Sequence, residues 1–220
     1  MDWQVFGLLW DSFFPLLRKG LALTLPITFA SFAMAIAISV AVAVVQLAKV
    51  PVLAALCRLY IWIFRGTPLL VQLYIVFFGL PSMGVKLDAV PSAILVFALN
   101  TGAYTAETVR ASIEAVPPIQ TEAGLAAGMT YLQTMRRIVL PQAFRSAFPT
   151  LSSYLIGLVK DTSLAANITV VEMFREAQIV AAAHFRFFAM YCEVAAIYLV
   201  FCTVLTRLQA WGERKLALPL

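Results

Sequence analysis

Charge is what this 220-residue chain has least of: only 12% of its residues are Asp, Glu, Lys or Arg, against 62% hydrophobic ones. Soluble domains carry about a quarter charged and half apolar residues, so a water-soluble globule is excluded. The mean hydropathy of +0.91 agrees. No Gly-x-x-x-x-Gly-Lys-Ser/Thr run occurs anywhere, so the chain has no phosphate-cradling loop of its own. Any ATP that energises it must be spent by another polypeptide. The three cysteines, Cys57, Cys192 and Cys202, lie in apolar segments without paired metal-ligand spacing. They read as core thiols, and no metal or other cofactor is expected on this chain. His184 is the sole histidine. In a polar turn beside Phe185 and Arg186 it reads as a surface side chain before a proton relay. Met1-Asp2-Trp3 lacks the basic flank of a cleaved signal peptide.

What is present is a series of apolar segments of membrane-spanning length. Residues 3–17, with Trp3 and Trp10, read as an amphipathic stretch at the membrane surface, and Pro15 argues against a spanning helix there. Five spans follow, at about 21–46, 52–80, 89–109, 147–168 and 187–208. The second is interrupted by Arg65-Gly66-Thr67-Pro68, where the helix is expected to kink or continue. A polar bend at 172–186 precedes the fifth. The chain is thus an all-α integral membrane protein forming a single domain over 1–220: an interfacial helix at about 1–20, then a five-span core at about 21–210.

The net charge of +5 is scattered over span ends and makes no stripe for nucleic acid. About nine Lys and Arg flank the side holding residues 117–142 and the C-terminus, against about five on the other. By the positive-inside rule that side is cytoplasmic and the N-terminus is outside.

Residues 122–141, EAGLAAGMTYLQTMRRIVLP, form a polar island in this apolar sequence. Pro117 and Pro118 suit the first turn of a helix, and Glu122 complements its positive end. Gly128 supplies a left-handed stop. Thr130 and Gln133 have capping-box spacing for a second helix, which Pro141 would disrupt.

Ionisable groups inside a span are costly, about 2.5–3.5 kcal/mol each on the lenient scale, and so mark function or pairing. Lys160 and Asp161 lie well inside the fourth span. Asp161, Thr162 and Ser163 either line a polar cavity near the midplane, or Lys160 and Asp161 form a structural ion pair. In the third span Asn100, Tyr104 and Glu107 share one helical face, which must look into protein or water. Asn100 and Tyr104 are candidate ligand contacts. Glu107 is a third candidate, or else pairs with Arg65 or Arg110. Arg65 to Pro68 reads first as a kink, a subunit contact or a snorkelling arginine, and second as a ligand contact.

The island resembles the cytoplasmic signature loop of binding-protein-dependent ABC importer permeases: Glu-Ala-Ala, three residues, Gly, nine residues, Ile, one residue, Leu-Pro. Glu122, Ala123, Gly128, Ile138, Leu140 and Pro141 match it, with Gly124 in place of the second Ala. Phe64 to Pro81, Asn100 to Val116 and Leu158 to Gln178 resemble blocks of the polar amino-acid subfamily. Within it the chain is most similar to L-cystine permeases, in GMTYLQTMRRIVLPQA and Phe-Arg-Glu-Ala-Gln.

The resemblance implies a permease subunit of an ATP-driven amino-acid importer in a bacterial inner membrane. It implies coupling helices at 117–142 and two partner ATPase subunits that carry the ATP and Mg. A second permease copy or relative, an extracytoplasmic amino-acid-binding protein and surrounding lipid complete the expected partners. The competing expectation is an ion- or proton-coupled secondary transporter, which needs no such island and would use Lys160-Asp161 and Glu107 as coupling groups.

Overall fold

A computed structural model describes residues 3–216, and among them there are ten α-helices and no strands. Helix α1 (Trp3–Lys19) passes through a π-helical turn at Gly20–Thr24 into α2 (Leu25–Leu47). Chain 3–17 is therefore helical as expected, but Pro15 does not separate it from the first span: it sits exposed inside α1. The apolar rod Val5–Leu47 has 43 residues, roughly 64 Å at 1.5 Å per residue and twice a ~30 Å hydrocarbon layer. Its whole length cannot stand upright in the layer. The buried edge of α1 packs on protein, with Leu16 fully enclosed and the Ser12 hydroxyl donating to Glu193 Oε2 at 2.7 Å.

Helices α3 (Pro51–Gly66) and α4 (Leu69–Tyr74) come next; α4 runs on through a π turn at Ile75–Gly79 and a 3-10 turn at Leu80–Met83. The two arms meet at 106°. That is a break rather than the expected kink, because Thr67 and Pro68 are both extended and Pro68 cannot donate to the preceding turn. Helix α5 (Ala89–Glu114) is uninterrupted and packs along α2 more extensively than any other pair of elements. Both contact stripes are small: Ser31, Ala35, Ser39 and Ala43 on α2, and Ala98, Gly102, Thr105 and Ala106 on α5, are buried. Small side chains let two backbones approach closely, which is how helices gain packing energy where lipid removes the hydrophobic drive.

The island folds as α6 (Pro118–Ala126) and α7 (Tyr131–Thr134), and α7 passes through a π turn at Met135–Val139 into α8 (Leu140–Asp161). Pro141 does not end this helix. It falls in the first turn of α8, where the wider π turn before it accommodates the missing N–H. A 3-10 segment, Thr162–Ile168, follows α8, and a left-handed Thr169 (φ 67°) closes it. The expected bend at 172–186 is instead a helix, α9 (Met173–His184), whose N-terminus is capped by the Glu172 side chain. Helix α10 (Phe187–Leu216) completes the described chain.

By length and composition three helices can cross a membrane, rising to five when the two bent pairs each count as one span. Two buried apolar clusters hold the bundle. One joins α1, α8, α9 and α10 around Met173 and Met190; the other joins α2, α4, α5 and α8 around Phe97 and Leu158.

Candidate functional site

The break between α3 and α4 leaves carbonyls of the last α3 turn without helical partners. In an apolar surrounding each needs a donor. Gln72, nearly buried, supplies three contacts through one amide nitrogen: Nε2 donates to the carbonyl of Phe64 at 3.0 Å, to that of Thr67 at 3.1 Å, and to Thr67 Oγ1 at 2.8 Å. Thr67 Oγ1 donates in turn to the Ile63 carbonyl at 2.8 Å. Asn100, reaching from α5, donates through Nδ2 to the Phe64 carbonyl and to Gln72 Oε1, both at 3.1 Å. The Phe64 carbonyl is thus held from two helices.

One turn below Asn100, Tyr104 carries the Arg65 guanidinium 5.1 Å from its ring centroid, and its ring lies 6.1 Å from that of Tyr154 on α8. Glu107 is engaged elsewhere on the same face. Its Oε2 accepts from Arg110 at 2.8 Å, and Arg110 also donates to Glu114 at 2.7 Å. Of the two pairing partners considered for Glu107, the structure contains Arg110.

At the end of α8 the polar residues diverge. Thr162 is fully buried, with its hydroxyl on the Val159 carbonyl at 2.7 Å. Ser163 bonds the Lys160 carbonyl at 2.7 Å and Asn167 the Leu164 carbonyl at 3.0 Å, so this second break is satisfied by its own side chains. Asp161 and Lys160 are both exposed on the isolated chain and form no ion pair with each other. The Lys160 stem lines a mostly apolar cleft of about 520 Å³ with Phe174, Tyr191, Tyr198 and Cys202.

Among the buried polar residues that the sequence analysis did not single out, two tie separate elements together. Gln72 is one; a lone amide inside LLVQLYIVFF was the available signal. The other is Glu172, fully enclosed, whose carboxylate accepts from the backbone N–H of Phe174 and Arg175 (2.8 Å each), from the Tyr198 hydroxyl (3.1 Å) and from Thr24 (3.4 Å). It ties the α1–α2 junction to α9 and α10.

The island is built by short-range rules. Thr130 and Gln133 form the reciprocal capping box, with N–H to side-chain distances of 2.9 and 3.3 Å. Gly128 takes φ 81°, a left-handed value that a Cβ disfavours. Gly124 is buried because α6 lies directly on α7: a Cβ there would meet Thr134 Cγ2 at 2.6 Å and Ile138 Cδ1 at 3.0 Å. Glu122, Ala123, Leu140 and Pro141 are exposed and Ile138 is half-buried. Ile119, Leu125, Tyr131 and Leu132 are also exposed, Leu132 by 76%. With Arg136 and Arg137 beside them they make a protruding apolar surface edged by positive charge, of the kind that marks a protein-docking site. Among the described residues no His, Cys, Asp and Glu group could hold a metal ion.

A membrane bundle with two broken helices and a compact, exposed two-helix hairpin fits a class: the membrane-spanning subunit of a transporter. Residues 33–218 match the family described as binding-protein-dependent transport system inner membrane component, and the chain belongs to that family.

Over 212 residues, 94% of this chain and 91% of the relative, it is 44% identical to the L-cystine transport system permease protein TcyB of Bacillus subtilis (strain 168). It is 43% identical over 205 residues, 92% of each chain, to the probable amino-acid ABC transporter permease protein PatM of Vibrio harveyi. Among solved structures, an amino acid ABC transporter with histidines superposes with a TM-score of 0.86 at 32% identity, over 93% of this chain and 96% of that one. The MetNI methionine ABC transporter in an inward-facing conformation shares the fold, with a TM-score of 0.74 at 18% identity over 99% of this chain and 100% of that one.

The protein is therefore the permease component of a binding-protein-dependent ABC importer, a multi-pass inner-membrane subunit that is not itself an enzyme. Membership of the family implies ATPase and binding-protein partners.

Proposed function

We propose that the chain, acting over 1–220 as one permease unit, forms the translocation pathway of an L-cystine importer. The 44% identity to an L-cystine permease along almost the whole of both chains carries the substrate assignment. Two copies, or one copy and a related permease, stand side by side in lipid. Two ATPase subunits that bind the ATP and Mg grip the island from the cytoplasm, and an extracytoplasmic receptor delivers the amino acid. The N-terminus lies outside and the C-terminus in the cytoplasm, as the basic residues around Arg136, Arg137, Arg145, Arg207, Arg214 and Lys215 favour.

Coupling is mechanical. Glu122, Ala123, Gly124, Gly128, Ile138, Leu140 and Pro141 shape a rigid pair of short helices, and the close α6–α7 approach at Gly124 supports their motion as one body. Because α7 passes directly into α8, displacement of the island pulls on the helix that ends at Asp161. ATP binds the closed arrangement of its subunits more tightly and so shifts the population between inward- and outward-facing states. Asp161 at the end of α8 and Thr162 and Ser163 of the 3-10 segment after it, with Asn100, Tyr104 and Glu107 of α5, border the path. Asp161 and Tyr104 are its contact residues; Asn100, Glu107, Thr162 and Ser163 shape it through the bonds they already make.

The decisive experiment is uptake of radiolabelled L-cystine into proteoliposomes containing the permease, its ATPase and its receptor. Uptake is expected only with ATP and receptor together. Accumulation driven by an ion gradient without the ATPase would replace this mechanism with secondary transport, and ATP-dependent uptake of other amino acids but not cystine would change the substrate alone.

A further inference from the structure

Arg65 stands in the last turn of α3, exposed beside the break. One face of its guanidinium is covered by the Tyr104 ring at 5.1 Å, which leaves the N–H edge open. It forms no salt bridge within the described chain: Glu107, the acid that feels its charge, bonds to Arg110 instead. A guanidinium in a membrane span whose N–H groups meet no acceptor is costly unless something supplies one.

The surrounding polar groups are spent on holding that cation in place. Gln72 and Asn100 both donate to the carbonyl of Phe64, the residue next to Arg65, and Gln72 also secures Thr67 on the other side of the break. The chain thus fixes the root of Arg65 through a nearly buried amide and supports its tip on an aromatic ring, while leaving its donors unpaired. A guanidinium presented in this way matches a planar carboxylate, which it binds with two parallel hydrogen bonds; an ammonium group cannot do this.

We infer that Arg65 is the carboxylate anchor of the transport path: its fork binds the α-carboxylate of the passing amino acid, Tyr104 supports the guanidinium plane, and Gln72 and Asn100 are the residues that position it. This rests on the amino-acid importer function proposed above and names the substrate group recognised there.

The test is equilibrium binding to the purified permease–ATPase complex without receptor, using radiolabelled L-cystine against L-cystine dimethyl ester, whose carboxylates are masked. The wild-type complex is expected to prefer the free acid by about tenfold or more, the worth of one charge-assisted pair. In R65Q and R65K the acid falls to the level of the ester, and R65K fails to rescue because the fork is lost. In Q72L the preference shrinks although Arg65 is still present. The anchor is overturned by a wild type that does not discriminate acid from ester, by R65Q or R65K variants that keep the discrimination, or by an importing wild type that holds no acid without receptor. The first and last of these need no variant to fold. A complete transporter that imports neither L-cystine nor L-glutamine, L-arginine or L-histidine with ATP would instead sink the importer function, and is distinguished by the uptake assay. If it imports one of the last three, the same acid-to-ester comparison is made with that amino acid.

Discussion

The α6–α7 island and the α3–α4 break are both polar interruptions of an apolar chain, yet they are ordered in opposite ways. Every feature that shapes the island acts over a few residues: a proline opens α6, Gly128 turns the chain, and Thr130 bonds Gln133 three positions on. The break depends on partners far away in sequence. Asn100 reaches the Phe64 carbonyl from 36 residues on, and Tyr104 on that same helix supports Arg65. A hairpin whose surface is exposed needs only local capping, because water satisfies whatever the caps leave over. Freed carbonyls in a membrane have no such reserve, so the bundle itself must supply donors.

Replacing the donors at the break tests this contrast most severely. Gln72→Leu keeps the approximate volume but strips donors from the Phe64 and Thr67 carbonyls and an acceptor from Asn100. It should destabilise the protein by about 3 kcal/mol, since each unsatisfied buried group costs about 1–3 kcal/mol. Reversible unfolding in mixed detergent micelles reads this directly; a loss near zero would mean that water already reaches the break.

A smaller effect, about 2 kcal/mol of overpacking, is expected for Gly124→Ala, whose new methyl group would sit 2.6 Å from Thr134 Cγ2. The added substitution Thr134→Ala removes the clashing atoms and should restore thermal stability and ATP-dependent uptake together. Recovery of stability without uptake would separate the fit of α6 on α7 from coupling.

Thr130→Ala deletes one half of the capping box and should cost about 1 kcal/mol. If the island is locally ordered, hydrogen exchange should rise in α7 and its preceding turn while the break remains protected. The least effect should come from Tyr104→Phe, which retains the aromatic face beneath Arg65, whereas Tyr104→Ala should lose about 1 kcal/mol of cation–π support. Equal binding losses in both variants would assign the role of Tyr104 to its hydroxyl.

Legibility in the sequence follows the same division. Gly128, the capping box and the α6–α7 hairpin were readable, because left-handed turns and N-caps are set by neighbours in the chain. Pro141 misled because the π turn ahead of it, which makes room for a proline, is not evident in local sequence. The bend expected at 172–186 became α9 because Glu172 caps it from a buried position shared with Tyr198 and Thr24. Asn100, Tyr104 and Glu107 were correctly grouped on one face, but their occupations were not predictable: Asn100 is tied to backbone and Glu107 to Arg110, while Tyr104 lies under Arg65.

The amino-acid sequence alone determined the membrane class, the helical segments and the island, since hydropathy, helix caps and turn glycines act through neighbouring residues. Tertiary structure decided the 106° break, the burial of Gln72 and Glu172, and the open guanidinium of Arg65. The physical reason is that hydrogen-bond satisfaction in an apolar medium is settled between helices: which donor meets which carbonyl depends on packing that no single segment contains.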